Sequence, residues 1–304
     1  MGSDRLTVDV LCVGTTSFDL ILSVPCHPQP DEKSFATSLL ECGGGPAANA
    51  AVTVARLGYR AAFAGYLGDD LRGDQHLHEL QREGVMTELV IRGTEPTPVS
   101  VILVKPDGTR TVVAYRGETP HLQAGCVDLG RADPKVILFD GHEPHISLPL
   151  IQQARRQAIP TVLDAGSVHS GTRALAPLVQ YLVCSERFAL DFTGETSEGR
   201  ALERLSNDVP FVVISLGERG LVWRAPDRSG RLPAFPIDAV DTTGAGDAFH
   251  GGFAVCVSEG MEWEYTLRYA SATAALCCMH LGARTGIPTA DDVAELLRRY
   301  SCDG

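Results

Sequence analysis

The sequence predicts an α/β fold, with a central, mostly parallel β-sheet flanked by helices and a small separate β-sheet attached to it. Three observations predict this. Short runs rich in Val, Ile and Leu recur along the chain, helix-like segments alternate with them, and two stretches break the alternation. The apolar runs are "VDVLCVG" (8–14), "KVILFD" (135–140), "TVLDAG" (161–166), "YLVCS" (181–185) and "FVVISLG" (211–217). Each is short and bounded by Gly, Pro or Asp, as strands buried on both faces should be. Between them, "ANAAVTVARLG" (48–58) and "PLIQQARRQA" (149–158) read as helices. Three longer helices close the chain at 248–259, 263–279 and 290–300, the last with Thr289 and Asp292 placed as a capping box.

The two exceptions lie at 23–42, which carries three prolines, and at 97–117, where alternating residues turn at Pro106-Asp107-Gly108. Together they read as the small separate sheet. With 304 residues and 44% hydrophobic content, residues 1–304 can bury a sizeable core as one domain. A formal charge of −12 argues against nucleic acid or an anionic membrane as the main partner. The nine cysteines follow no framework spacing and read as reduced thiols of a cytoplasmic protein. No apolar run has the length of a membrane span, and "VDVLCVG" lacks the context of a signal peptide.

The chemistry concentrates in "AVDTTGAGDAFHGGFAV" (239–255). A strand-like "FPIDAV" precedes it and a helix follows, so "TTGAGD" is a strand-to-helix turn. Amides at a helix start lack intrahelical partners and sit at the positive end of the helix dipole. Gly244, Ala245 and Gly246 leave those donors unobstructed for an anion, and Asp247 stands where it can accept a proton from an attacking hydroxyl. A base beside an anion hole is what phosphoryl transfer to an alcohol requires. Alone, the same residues also read as a glycine turn with a capping aspartate.

This segment resembles the C-terminal signature of the PfkB/ribokinase family of carbohydrate kinases, and "GGGPAANAAVTVARLG" (43–58) resembles that family's N-terminal signature. The resemblance implies a ribokinase-like fold and ATP-dependent phosphorylation of a hydroxyl, expected to be primary, on a sugar or sugar derivative. By it, Asp247 is the general base, and Gly244, Ala245 and Gly246 form the anion hole. Asp19, Gly44, Gly45 and Asn49 bind the sugar, with Asp19 placed at the end of the first strand. Ser215, Gly217 and Gly220 in "ISLGERG" approach ATP, as do Thr243 and Gly282, the latter in the adenine-side loop "GARTGIP". Asp241 and Thr243 are the candidates for a monovalent cation, K+. The small sheet becomes a lid over the sugar, and in many relatives it also pairs two subunits, so a homodimer through the lid is expected.

The family's Asn-x-x-Glu motif near Mg2+ is absent. Its place reads Ser185-Glu186-Arg187-Phe188, which leaves magnesium to the phosphates and water, with Glu186 nearby. Lys33 resembles a sulfonate-binding lysine of the bacterial sulfofructose kinases. Ala114 and His142 stand where those enzymes carry an asparagine and an arginine, so that partner set is incomplete. In "GHEPH", Asp140 or Glu143 is a candidate contact for the sugar, in preference to a metal reading of the histidines.

Other readings compete. Gly43, Gly45 and Ala48 satisfy a dinucleotide fingerprint, but the pattern does not directly follow the first strand as it should. A nucleoside kinase of the same fold would need aromatic faces for a base, with Phe18, Phe35 and Tyr115 available. A sugar-binding regulator without catalysis conflicts with the intact Asp247. No GxxxxGK[ST] occurs, which excludes a P-loop kinase.

Overall fold

The recurring apolar runs assemble into one eight-stranded sheet. In this computed structural model, which describes residues 5–300, the chain begins with β1 (Leu6–Val13), β2 (Ser17–Ser23), β3 (Ser38–Gly44), α1 (Pro46–Arg56), β4 (Ala61–Ala64), β5 (Tyr66–Gly68) and α2 (Leu71–Arg82). It continues through β6 (Ile91–Gly93), β7 (Val99–Val104), β8 (Arg110–Tyr115), β9 (Ala132–Phe139), α3 (Pro144–Arg156), β10 (Thr161–Ala165) and α4 (Ser170–Leu175). Next come β11 (Tyr181–Ser185), α5 (Glu186–Thr193), α6 (Glu198–Leu205), β12 (Phe211–Ser215), β13 (Leu221–Ala225), β14 (Arg228–Leu232), α7 (Ala245–Ser258), α8 (Trp263–Cys277) and α9 (Ala290–Arg299).

The main sheet has the order β14-β13-β12-β11-β10-β9-β1-β4. Its six strands from β12 to β4 are parallel, and β13 and β14 add an antiparallel edge. Alternate residues serve two cores. Val10, Cys12, Val183 and Val213 pack on one side with α1 and α7, whereas Leu11, Val13, Leu182 and Ile214 pack on the other with α3 and α5. Strands covered on both faces must be apolar throughout, which is why these runs show no clean polar alternation.

The small sheet has the order β3-β2-β7-β8 and its own core of Ile21, Ile102 and Val104. Its strands differ from the expected 23–42: the pairing segments are β2 and β3, and 24–37 forms no strand. Pro25, Pro28 and Pro30 explain this, since a proline donates no ladder hydrogen bond. Asp19 therefore belongs to the small sheet, not to the end of the first strand. Helix α3 begins five residues before the expected 149, at Pro144, where proline's missing N–H costs nothing. Residues 235–240 form no strand, and α7 starts at Ala245, before the expected 248. Helix α9 carries the expected capping box of Thr289 and Asp292.

No helix among the described residues is long and apolar enough to cross a membrane. Eight cysteines are unpaired, and Cys302 lies outside the described residues.

Candidate active site

Helix α7 begins at the carboxyl edge of the sheet with Gly244 as its N-cap, at φ 79°. A side chain there would be strained, and its Cβ would lie 2.7 Å from Ala283, so only glycine closes this turn. The Ala245 amide turns back to the Thr242 carbonyl at 3.3 Å. Of the three amides expected to be open, that of Ala245 is thus engaged, while those of Gly244 and Gly246, and also that of Asp247, have no acceptor from the chain.

Helix α1 brings the second half of the site. Pro46 starts it, and its small residues Ala47, Ala48, Ala50 and Ala51 are buried. Gly251 of α7 faces it, and a Cβ there would come within 2.6 Å of the Thr53 side chain. This bare crossing sets Asn49 against Asp247 across 198 residues of sequence, with Asn49 Nδ2 donating to Asp247 Oδ2 at 2.7 Å. One Asp247 oxygen is thus held, and the other accepts no hydrogen bond from the chain.

Asp19 lies on the same side. It is 4% exposed, accepts from Ser17 Oγ at 2.6 Å, and rests against Gly44, where any side chain would collide with its carboxylate. Burial raises its pKa, the Ser17 hydrogen bond and the Arg284 charge oppose the rise, and the nearby Asp247 adds to it. Gly45 caps the N-terminus of α1 at φ 98°. Asp19, Gly44, Gly45, Asn49 and Asp247, expected together, are together.

Other expected residues have other partners. Asp140 accepts from the amides of Thr15 (2.8 Å), Ala47 (3.3 Å) and His142 (2.8 Å), tying β1 to α1. Burial still pushes its pKa up to about 7. Both oxygens of Glu143, 2% exposed, are engaged: Arg116 Nη2 donates at 2.5 Å and the Leu122 amide at 2.7 Å. Lys33 sits in the 24–37 segment with its ammonium over the Phe35 ring, 5.1 Å from the centroid. Asp241, fully buried, accepts from Thr243 N (2.9 Å), Thr243 Oγ1 (2.7 Å) and Gly282 N (2.8 Å). That clasp joins the two segments expected around a cation, and it occupies the carboxylate with internal donors.

Of the residues expected to approach ATP, Ser215 ends β12 opposite Ser185 of β11, and Gly217 and Gly220 bound a tight turn closed by Leu216 N–H to Gly220 O at 2.8 Å. A side-chain magnesium set does not form here. Ser185 caps α5 through the Phe188 amide, Phe188 is core, and Glu186 pairs with Arg219. Among the described residues no three His, Cys, Asp or Glu side chains gather as metal ligands.

Three residues enter that sequence reasoning passed over: Arg284, His250 and His169. Arg284, quoted only as part of a loop, reaches Asn49. His250 of α7 holds Nδ1 at 2.6 Å from Gly246 O and 3.3 Å from Asp164, with Nε2 at 3.1 Å from Val183 O. Both ring nitrogens thus face oxygen atoms of the fold. Finally, His142 and His169 stack at 4.5 Å between centroids; burial lowers both pKa values, that of His169 to about 4. A histidine in an apolar frame gives no periodic signal, so only "AFHGGF" itself hinted at His250.

An open helix mouth, a carboxylate held by one oxygen, and a cover sheet at the carboxyl edge of an α/β sheet define a phosphotransferase. Residues 8–290 match the pfkB family carbohydrate kinase, and the chain belongs to that family. It is 29% identical to the ribokinase of Bacillus subtilis (strain 168), over 95% of this chain and 99% of that one. It is 27% identical to a nucleoside kinase of Methanothermobacter thermautotrophicus, over 99% and 97%. The solved structure of Arabidopsis thaliana ribokinase complexed with ribose and ATP superposes with a TM-score of 0.83 at 27% identity, covering 96% of this chain and 99% of that one. The fold is ribokinase-like, and the protein is a kinase of the sugar and nucleoside class.

Proposed function

We propose that the protein transfers the γ-phosphoryl group of ATP to a hydroxyl, a primary one, of a neutral sugar. The observation that carries this is the Asn49–Asp247 pair beside the open amides of Gly246 and Asp247. Asp247 Oδ1 takes the proton of the attacking hydroxyl while the amides and the helix dipole meet the charge on the transferred group. Asp19 and Asn49 hold the sugar, and ATP lies along Ser215, Gly217, Gly220, Thr243 and Gly282. Magnesium depends on the nucleotide's phosphates and water for its ligands. The side chains of Asp241 and Thr243 bind each other, so a K+ ion would rest on backbone carbonyls.

The neutral class follows from charge. Arg116 is paired with Glu143 and Arg284 with Glu79 and Asn49, and Arg110 reaches the Thr242 hydroxyl from the small sheet, whereas Asp19 and Asp247 face each other's field. An anionic group placed at the Asp19–Asp247 end would meet two carboxylates, and both of the guanidiniums paired there already hold a carboxylate. Two copies pair through the exposed face of the lid.

Asp247→Asn tests the base: kcat falls by about 100- to 10,000-fold while sugar affinity, read by calorimetry, stays near that of the unaltered protein. Turnover preserved in that variant would remove Asp247 from the role. A second reading, a nucleoside as acceptor, draws on the Methanothermobacter relative and on the stacked imidazoles of His142 and His169, which offer a base an aromatic face. An ATP-consumption screen over ribose, fructose, fructose phosphates, sulfofructose and nucleosides separates the two. A nucleoside accepted in preference to every sugar selects the second.

A further inference from the structure

Arg284 is 3% exposed, and it turns its guanidinium toward the sugar side of the site. A buried guanidinium must be paired, and this one is paired in three directions. Nε donates to Asn49 Oδ1 at 2.9 Å, Nη2 donates to His76 Nε2 at 2.7 Å, and Nη1 stands 3.2 Å from Glu79 Oε1. His76 is fully buried, and because Arg284 can only donate, the Nε2 facing it carries no proton. The ring is neutral, so a full positive charge can approach it.

The fork reaches both halves of the site. An asparagine amide has an acceptor end and a donor end. With Arg284 on Oδ1, the Nδ2 end is the one facing Asp247, and this is the observed 2.7 Å bond. On its far side, Glu79 Oε2 accepts from the amide of Gly43, the penultimate residue of lid strand β3, at 2.7 Å. Gly43 also lies so close that any Cβ would meet Arg284 and His76. The loop carrying Arg284 is itself anchored, with Arg56 Nη1 donating to the Arg284 carbonyl at 2.6 Å. A continuous chain of contacts thus runs from the lid strand through Glu79, Arg284 and Asn49 to the catalytic carboxylate.

We propose that Arg284 is a positioning residue for phosphoryl transfer: by binding Asn49 Oδ1 and Glu79 together, it fixes the Asn49 amide and the free Asp247 oxygen in register with the lid strand. The inference rests on the sugar-kinase reading of the same site. A lysine cannot take its place, because a single ammonium lacks the planar fork that spans Asn49, His76 and Glu79 at once.

The test compares Arg284→Met and Arg284→Lys with the unaltered protein, using a sugar that the latter phosphorylates, with circular dichroism to confirm folding. We expect kcat to fall by about 100-fold with a raised sugar KM, in both variants, while the ATP KM stays within about twofold. A folded variant with kcat and sugar KM within about twofold of the unaltered protein overturns the inference. So does a loss in which sugar and ATP KM rise together, which marks a general structural role. Arg284→Lys retains the charge beside Glu79 and serves if Arg284→Met does not fold; an unfolded Arg284→Lys also overturns the inference. Absence of turnover on any sugar by the unaltered protein defeats the sugar-kinase reading instead, so the two failures are distinguishable.

Discussion

Asp140 shows how burial decides the charge of a carboxylate even when three amides hold it. Its pKa stands near 3.8 in an unfolded chain and about 7 in the fold, with burial as the largest cause. Between those values the folded state keeps a proton that the unfolded state has lost. The stabilising contribution is therefore complete below about pH 4 and is lost as the pH rises through 7, at up to about 1.4 kcal/mol per pH unit. Asp140→Asn should flatten the fall in melting temperature between pH 4 and 7 relative to the unaltered protein; parallel curves would refute the assignment. Neither Asp140 nor Glu143 could be assigned from sequence. Each sits past a strand end where ligands bind, and only the fold shows backbone amides and Arg116 already using those oxygens. Asp247 was legible because its neighbour Gly244 is needed for a turn, whatever the distant chain does.

At the level of elements, the crossing of α1 and α7 makes the site. Both helices were legible from their apolar runs, but their contact depends on Thr53 filling the space left bare by Gly251. Gly251→Val should push the helices apart, at a stability cost of about 1–3 kcal/mol from overpacking. Denaturant unfolding would measure that cost. The same variant should lower kcat, because the Asn49–Asp247 bond cannot stretch without weakening. Unchanged unfolding and turnover would mean that the crossing tolerates a larger residue. The lid strands were harder to place. Prolines in 24–37 mark an irregular segment, yet the strands lie on both sides of it, and Asp19 reads equally well as the end of β1 until β2 is seen to pair with β3 and β7.

Across the whole molecule, the small sheet leaves one strand uncovered. Every residue of β8 is exposed, with Val113 at 63% and Tyr115 at 67%, and Leu39 of β3 is 58% exposed. An apolar edge strand open to water is a template for pairing, and a second copy of the lid is the occupant proposed above. Lysines in place of Val113 and Tyr115 should convert a dimer to a monomer in analytical ultracentrifugation. A monomeric unaltered protein would overturn the pairing.

The sequence by itself determined the local decisions: which runs become buried strands, where glycines open a helix mouth, and that a carboxylate stands beside it. These follow from residues within a turn or two of one another, where sterics and hydrogen-bond valence act directly. Tertiary structure alone decided which amide orients that carboxylate, which buried cation orients the amide, and which of the candidate carboxylates are already occupied. Those outcomes depend on contacts such as Asn49 with Arg284, 235 residues apart, and no local pattern encodes the partner of a polar group until the chain has closed around it.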